Sequence, residues 1–382
     1  MTVAFLDGLP DIPDELAHAL SEPLIDHHVH GCFTFDLDRA GFEEALNEAS
    51  PDPIPPFMSQ FDSQLGFAVR RWCAPLLGLT PSVAADGYWR RRADLGSVGA
   101  ARALLPSAGV SDWLVDTGFA ADRLCRPDAL AAWSGGTAAE VLRLESLAET
   151  LLAAGVRPGE FADAFRGRLA ARGTGVVAAK TIAAYRCGFD IDWSRPTDTD
   201  VARAVGAWSA ADTPRLTSPA LVAFGVHAAA DAGLPIQIHV GLGDRDLDLR
   251  RADPLLLVPL LNRIPRVPVL LLHCYPFHRE AGYLAQAFDG VHMDVGLAVN
   301  HLGVRSVELL AESLELAPFA KQLYSSDACG PPEYHLLGAV LWRRGMARVL
   351  GRWVSEGDWS LVDAVRVVRM IGAGNAARVY RR

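Results

Sequence analysis

The 382-residue sequence has little positive charge and no long uninterrupted apolar run. Its 36 Lys and Arg residues are outnumbered by 45 Asp and Glu residues, which gives a formal net charge of −9. A basic surface for nucleic acid is therefore not expected. The longest apolar stretch, 255–276, is interrupted by polar residues and four prolines. A membrane-spanning helix needs about 20 consecutive apolar residues, so none is predicted.

Cysteine motifs and leader signals are also missing from the sequence. The six cysteines include no C-x-x-C pair, and the first residues are acidic, without a basic segment before an apolar one. A disulfide-stabilised secreted fold is not indicated, and we expect a reduced, cytoplasmic protein. Half of the residues are hydrophobic. This composition argues against disorder and predicts a large folded core.

Short runs rich in Val, Ile and Leu recur along the chain and alternate with helical stretches such as 161–173 and 218–234. Parallel strands that are buried on both faces read as continuous apolar runs of this kind. Eight alternating units predict an α/β fold, a (β/α)8 TIM barrel. The candidate strands are 23–30, 111–119, 139–146, 175–183, 235–241, 267–275, 290–296 and 321–327.

Residues 36–106 are too many for one βα unit and contain the proline-rich segment 51–56. We interpret 36–106 as a helical insertion after strand 1, on the face of the barrel that carries active sites. It would act as a lid or as a dimer contact, and a packing subdomain without function is an equal alternative. Residues 359–380 predict extra C-terminal helices. We expect one domain, 1–382, that assembles into a homo-oligomer, specifically a dimer.

Potential metal ligands stand at or near the ends of several candidate strands. In a barrel these ends converge on one mouth. Buried polar groups are costly unless they are partnered, and a divalent cation partners imidazoles and carboxylates together. The sequence therefore predicts a metal site. Its candidate residues are His28 and His30 on strand 1, Lys180 on strand 4, His239 on strand 5, His273 on strand 6 and Asp327 on strand 8.

This pattern resembles the amidohydrolase superfamily, which carries H-x-H on strand 1, Lys on strand 4, His on strands 5 and 6, and Asp on strand 8. The segments KTIAAYRCGFDI, VLLLHCYPFHREAGYLA and APFAKQLYSSDACGPPE also look like the amidohydrolase domain of nodulin- and FluG-type proteins. That domain is commonly fused to a glutamine-synthetase-like ligase. The resemblance covers roughly residues 20–380 and implies a metal-dependent hydrolase, which we expect to be free-standing because no ligase half follows.

The resemblance implies roles for these residues. His28, His30 and His239 would bind the metal ion. Asp327 would complete the protein ligands and would also carry a proton from water to the leaving group. We expect zinc, with manganese or iron as alternatives, and one or two ions. His273 would either bind a second ion or donate a hydrogen bond to the substrate carbonyl.

Lys180 and the residues after it have several possible roles. Lys180 would be carboxylated and bridge two ions, or would bind a substrate carboxylate or oxyanion unmodified, or would form a structural ion pair. Tyr185 and Arg186 would bind substrate, since Arg suits bidentate carboxylate recognition, although Arg186 can equally pair with a loop carboxylate. His27 is predicted to be structural, and Asp294 is a further candidate at the end of strand 7.

The implied activity is hydrolysis of an amide or related C–N bond in a small carboxylate-bearing metabolite, such as a γ-glutamyl amide. A non-oxidative decarboxylase of the same superfamily is one alternative, and a catalytically inactive metal-binding regulatory domain is another. A dehydrogenase is not indicated, because no G-x-G-x-x-G follows the early strands. The expected partner is a small-molecule substrate, with neither nucleic acid nor membrane.

Overall fold

The computed structural model describes residues 4–9, 12–211 and 213–382. Within these residues, seven strands form one parallel sheet whose order follows the chain. Parallel neighbours need long crossover connections, and helical segments supply them here. The strands are β1 (Leu24–Val29), β2 (Val110–Asp116), β3 (Thr137–Arg143), β4 (Val176–Thr181), β5 (Ile236–Val240), β6 (Val269–His273) and β7 (Val291–Met293).

The segment predicted as the eighth strand, 321–327, does not form a regular strand. It nevertheless bonds to both edges of the sheet: Leu323 N donates to Met293 O of β7 at 3.0 Å, and His27 N of β1 donates to Tyr324 O at 3.2 Å. A left-handed residue at its end (φ 47°) interrupts the extended geometry. The segment closes the ring of strands. The fold is therefore the predicted (β/α)8 barrel, with an irregular segment in place of the eighth strand.

Helical segments connect the strands, and most lie where the apolar pattern predicts them. The strand predicted at 139–146 instead ends at Arg143, because a helix of good helix formers begins at Leu144. The α-helices in the described part of the chain are Asp14–Ser21, Arg39–Glu44, Gln64–Ala68, Ala85–Leu104, Pro127–Ser134, Leu144–Ala153, Phe161–Ala170, Ala183–Arg186, Asp198–Ser209, Pro219–Asp231, Val258–Leu261, His278–Ala287, Gly296–Leu302, Ser306–Ser313, Pro332–Glu356, Leu361–Arg369 and Asn375–Tyr380. None of the described helices is both long and apolar enough to cross a bilayer.

The stretch 36–106 is helical, as predicted, and packs against the long helix Pro332–Glu356. A buried ion pair joins the two, with Arg92 Nε 2.9 Å from Glu333 Oε1. Tyr88 Oη donates to the same carboxylate oxygen at 3.0 Å. The insertion is therefore fastened to the barrel by buried polar bonds, while its action as a lid or a dimer contact stays a prediction.

A small apolar cluster lies inside the ring of strands, because it draws residues from strands all around it. The last helix, Asn375–Tyr380, also contributes residues to this cluster and covers the end of the barrel where β1 begins. The cluster consists of Ile25, Leu114, Ala139, Val141, Ala178, Leu270, Leu272, Leu323, Ala376, Val379 and Tyr380.

Candidate metal centre

The carboxyl ends of the strands open into a cavity of about 390 Å³. Residues from the barrel and from the insertion line it together. His28 and His273 are fully buried, and both lie next to the cavity residue Asp327. The sequence-predicted site residues that line the cavity are His30, Lys180, Tyr185, Arg186, His239 and Asp327.

Asp327 is the point on which the imidazoles converge. Its Oδ1 lies 3.0 Å from His28 Nε2 and 3.6 Å from His30 Nε2, and its Oδ2 lies 3.3 Å from His273 Nε2. Lys180 Nζ is 3.0 Å from the same His28 Nε2. The barrel thus brings together residues from β1, β4, β6 and the closing segment.

His239 lies at the edge of this cluster. Its ring centroid is 4.6 Å from that of His273 and 4.7 Å from that of Tyr185. The ligand atoms of His28, His273 and Asp327 all lie within 4.8 Å of one another, and in the described residues no such compact group includes His239. It stays a prediction that His239 binds the metal ion and that His273 does not bind it.

Several buried atoms of this cluster have no hydrogen-bond partner. They are Nε2 of His239, both ring nitrogens of His273, and Oδ1 of Asp327. Leaving a buried polar atom unpaired costs about 1–3 kcal/mol. A divalent cation would satisfy imidazole nitrogens and a carboxylate oxygen at once. The donor set therefore fits a metal ion.

Hydrogen bonds fix the tautomers of the two β1 histidines. His28 Nδ1 donates to Gln237 Oε1 at 2.7 Å, and His30 Nδ1 donates to the backbone oxygen of Asp116 at 3.1 Å. Since both partners accept, the proton of each ring is on Nδ1. The unprotonated Nε2 of each ring therefore faces Asp327, which is the orientation that metal-binding histidines need.

Burial tunes the charges of the cluster. It lowers the pKa of His28, His239 and His273 well below the usual range, so these rings are neutral and able to bind a metal. It lowers the pKa of Lys180 to about 8. It raises the pKa of Asp327 to about 6, which is suitable for a group that takes up and returns a proton near neutral pH.

Two residues of the cluster have left-handed backbones. His273 has φ 69° and Asp327 has φ 47°, a conformation that costs a residue other than glycine roughly 1–2 kcal/mol. His273 N donates to Asp294 Oδ1 at 3.0 Å, and Asp327 N donates to His28 O at 3.1 Å. These bonds hold the strained backbones, and strain of this kind concentrates at functional sites.

The pair Asp116 and Arg143 is a part of the site that the sequence pattern did not indicate. Arg143 Nη2 lies 2.6 Å from Asp116 Oδ2, and its side chain lines the cavity. Although burial opposes ionisation, the Arg143 guanidinium holds the pKa of Asp116 below its usual range. The two residues end β2 and β3, so a charged residue at a strand end was the available signal.

The insertion also contributes a residue that no pattern indicated. Glu48 is half-buried in the cavity wall. Burial, together with the charges of Asp327 and Asp244, raises the pKa of Glu48 to about 8. The cavity wall therefore includes an acid that belongs to the insertion rather than to the barrel.

The two predicted substrate-binding residues differ in their surroundings. Tyr185 stands beside His239, and a Cβ on Gly243 would lie 1.9 Å from Tyr185 Oη, so this close approach requires glycine. Arg186 Nη1 lies 2.8 Å from Glu149 Oε1. Arg186 therefore forms an ion pair, although with a carboxylate of the helix Leu144–Ala153 rather than of a loop, and its guanidinium still lines the cavity.

The site is thus a group of imidazoles and an aspartate at one mouth of a parallel barrel, an arrangement that fits a metal-dependent enzyme. Residues 199–382 match a family model that is described as "Amidohydrolase". Protein fluG of Emericella nidulans is 31% identical over 221 residues, a match that covers 54% of this chain. It spans only 25% of the length of that relative.

Solved structures match nearly the whole chain. A protein described as a metal-dependent hydrolase from Lactobacillus casei is 26% identical, with a TM-score of 0.85 and coverage of 97% of this chain and 98% of that one. A uronate isomerase from Bacillus halodurans, 14% identical with a TM-score of 0.63 and coverage of 97% and 96%, shows the fold alone. The chain therefore resembles the amidohydrolase superfamily, most directly over residues 199–382.

Proposed function

We propose that the protein is a metal-dependent hydrolase that cleaves an amide or related C–N bond in a small carboxylate-bearing metabolite, with a γ-glutamyl amide as the specific candidate. The main support is the set of buried, unpartnered atoms on His239, His273 and Asp327 at the mouth of the barrel. A core stabilised by packing alone would not retain unpaired polar atoms in this number.

The proposed ion, zinc, would be held by His28, His30, His239 and Asp327. Once bound, such an ion polarises a carbonyl and lowers the pKa of water. In the mononuclear form His273 stays free of the ion, and a ring nitrogen can then donate a hydrogen bond to the substrate oxygen. In the alternative form His273 would help to hold a second ion, and a carboxylated Lys180 would serve as a further ligand.

Asp327 is the proposed proton carrier. Its carboxylate takes a proton from the attacking water as the water oxygen bonds to the carbonyl carbon. It returns that proton to the nitrogen when the C–N bond breaks, so the products are a carboxylic acid and an amine. A pKa near 6 lets the same group accept and donate at neutral pH.

The positive groups of the cavity favour a substrate with a carboxylate. Lys180, Arg143, Arg186 and Arg215 all line it. The three arginines each pair with an acid, so part of their donor capacity is used. The cavity volume of about 390 Å³ suits a small metabolite rather than a polymer.

The test is a substrate panel with the metal-loaded protein. γ-Glutamyl amides and N-acyl amino acids are compared with their carboxylate methyl esters, and both amine and CO₂ are measured. We expect amine release that chelation abolishes, that zinc restores and that esterification weakens. Release of CO₂ without amine would favour the decarboxylase instead, and failure to bind zinc would contradict the hydrolase.

A further inference from the structure

A chain of buried hydrogen bonds lies directly beneath the metal-binding histidines. It starts at Gln237 on β5, whose Oε1 accepts from His28 Nδ1 at 2.7 Å. Gln237 Nε2 donates to the backbone oxygen of His27 at 2.7 Å and to Tyr380 Oη at 2.9 Å. A carbonyl oxygen only accepts, and the Tyr380 hydroxyl accepts here too, so both bonds of Nε2 favour this orientation of the Gln237 amide and the loss of either weakens the preference.

The chain continues from Tyr380 to an acid. Tyr380 Oη lies 2.9 Å from His27 Nδ1, and His27 Nε2 lies 3.0 Å from Asp294 Oδ2. Hydrogen bonds to Asp294 hold its pKa below the usual range despite burial, so it is an ionised acceptor. His27 Nε2 therefore carries the proton, and the Tyr380 hydroxyl donates to His27 Nδ1. We call Gln237, Tyr380, His27 and Asp294 the floor of the site.

We propose that Tyr380 and Gln237 are positioning residues, which lock His28 in the tautomer that turns an unprotonated Nε2 toward the metal. At one end of the floor the carboxylate of Asp294 accepts a hydrogen bond, and at the other end the oxygen of Gln237 accepts one. Between these two acceptors each hydrogen bond has a single possible direction. The inference rests on the proposed metal site. It adds that the helix Asn375–Tyr380 acts on metal binding through a hydroxyl group and not only through packing.

A second arm of the floor reaches another member of the cluster. Asp294 Oδ1 accepts from the backbone nitrogens of His273 and Gly296 at 3.0 and 2.8 Å and from Ser325 Oγ at 2.8 Å. One buried carboxylate thus supports the strained backbone of His273 directly and the ring of His28 through three intermediaries. The floor couples β1, β5, β6 and the helix Asn375–Tyr380 beneath the proposed metal site.

The fold offers a matched control for the Tyr380 hydroxyl. Tyr324 is equally buried, but its hydroxyl has no hydrogen-bond partner. Tyr380→Phe and Tyr324→Phe each remove one buried hydroxyl, and only the first removes bonds of the floor. A difference between the two variants therefore measures the hydrogen-bond chain rather than packing.

The experiment reads the His28 tautomer in metal-free protein by long-range ¹H–¹⁵N NMR, and then zinc affinity by competition with a chelator. For wild type and Tyr324→Phe we expect a single Nδ1–H tautomer. For Tyr380→Phe we expect mixed tautomers and zinc affinity about tenfold weaker, the lower end of the loss typical for groups behind a ligand. Unchanged tautomer and affinity in Tyr380→Phe would overturn the proposal.

A second variant covers the case in which Tyr380→Phe does not fold. Gln237→Met keeps a side chain of similar size and removes the acceptor for His28 Nδ1. We expect the same mixed tautomers, and a single Nδ1–H tautomer in Gln237→Met would contradict the proposal. Because the tautomer is read without metal or substrate, failure of the substrate panel leaves this result independent.

Discussion

His27 and His28 are neighbours in the sequence, both fully buried, yet their surroundings are opposite. Both nitrogens of His27 have partners in the floor, Tyr380 and Asp294. His28 instead turns one nitrogen toward Asp327, where unpartnered atoms gather. The difference teaches that polar groups in one barrel have two uses. Polar groups with hydrogen-bond partners specify the structure. Polar groups without partners are available to bind an ion, and they lower the free energy of unfolding until an ion binds.

The largest effect on activity is expected at the mouth of the barrel, where Asp327 lies. Asp327→Asn should lower kcat/KM by about 10³-fold, since it removes the proposed proton carrier and a proposed metal ligand. The free energy of unfolding of the metal-free protein should stay the same or rise, because an unpartnered buried carboxylate is lost. Steady-state kinetics and urea unfolding measure the two quantities. Asp246→Asn, at an exposed acid of the same cavity, is the control, and a destabilised Asp327→Asn would break the comparison.

The opposite outcome is expected in the floor. Asp294→Asn places an amide donor against groups that already donate, so it should cost about 3 kcal/mol of unfolding free energy. Urea unfolding of the metal-free protein measures this loss. The exposed Asp289→Asn should change it by less than about 0.5 kcal/mol. If Asp294→Asn were as stable as wild type, the floor would not specify the structure.

The titration of Asp327 sharpens the contrast. Burial raises its pKa from 3.8 to about 6, so between these values the folded state binds more protons than the unfolded state. The stability of the metal-free protein therefore falls as pH rises through this window, by up to about 1.4 kcal/mol per pH unit from this group. Asp327→Asn should remove that contribution. Equal pH slopes in wild type and variant would show that Asp327 titrates normally.

The smallest effect concerns the cavity wall. Gly243→Ala would place a Cβ 1.9 Å from Tyr185 Oη and 3.2 Å from His239 Nε2. The tyrosine side chain must move, and we expect kcat/KM about tenfold lower because misplacement near a reacting group is costly. At Gly206 an added Cβ meets nothing within 4 Å. Gly206→Ala should leave kinetics unchanged, and equal behaviour of the two variants would contradict a role for this wall.

The sequence predicted the barrel and the convergence of its ligands because both follow from local patterns. Apolar runs identify strands, and a polar residue at the end of each run identifies the mouth. Partner choice is not local: His27 and Tyr380 are 353 residues apart, and no periodicity connects them. For the same reason the sequence did not indicate that the ion-pair partner of Arg186 is Glu149. The segment in place of the eighth strand is irregular because Asp327 has a left-handed backbone. An apolar pattern does not predict such a conformation. Zinc, dimerisation and cytoplasmic location stay predictions.

The distance between His27 and Tyr380 also bears on how the protein is made. β1 leaves the ribosome early, but the hydroxyl that completes the floor follows 353 residues later. At translation rates of 5–20 residues per second, that delay is roughly 20–70 s. During this time the floor lacks its last member, so the complete set of bonds that orders the His28 tautomer forms only after Tyr380 has been synthesised.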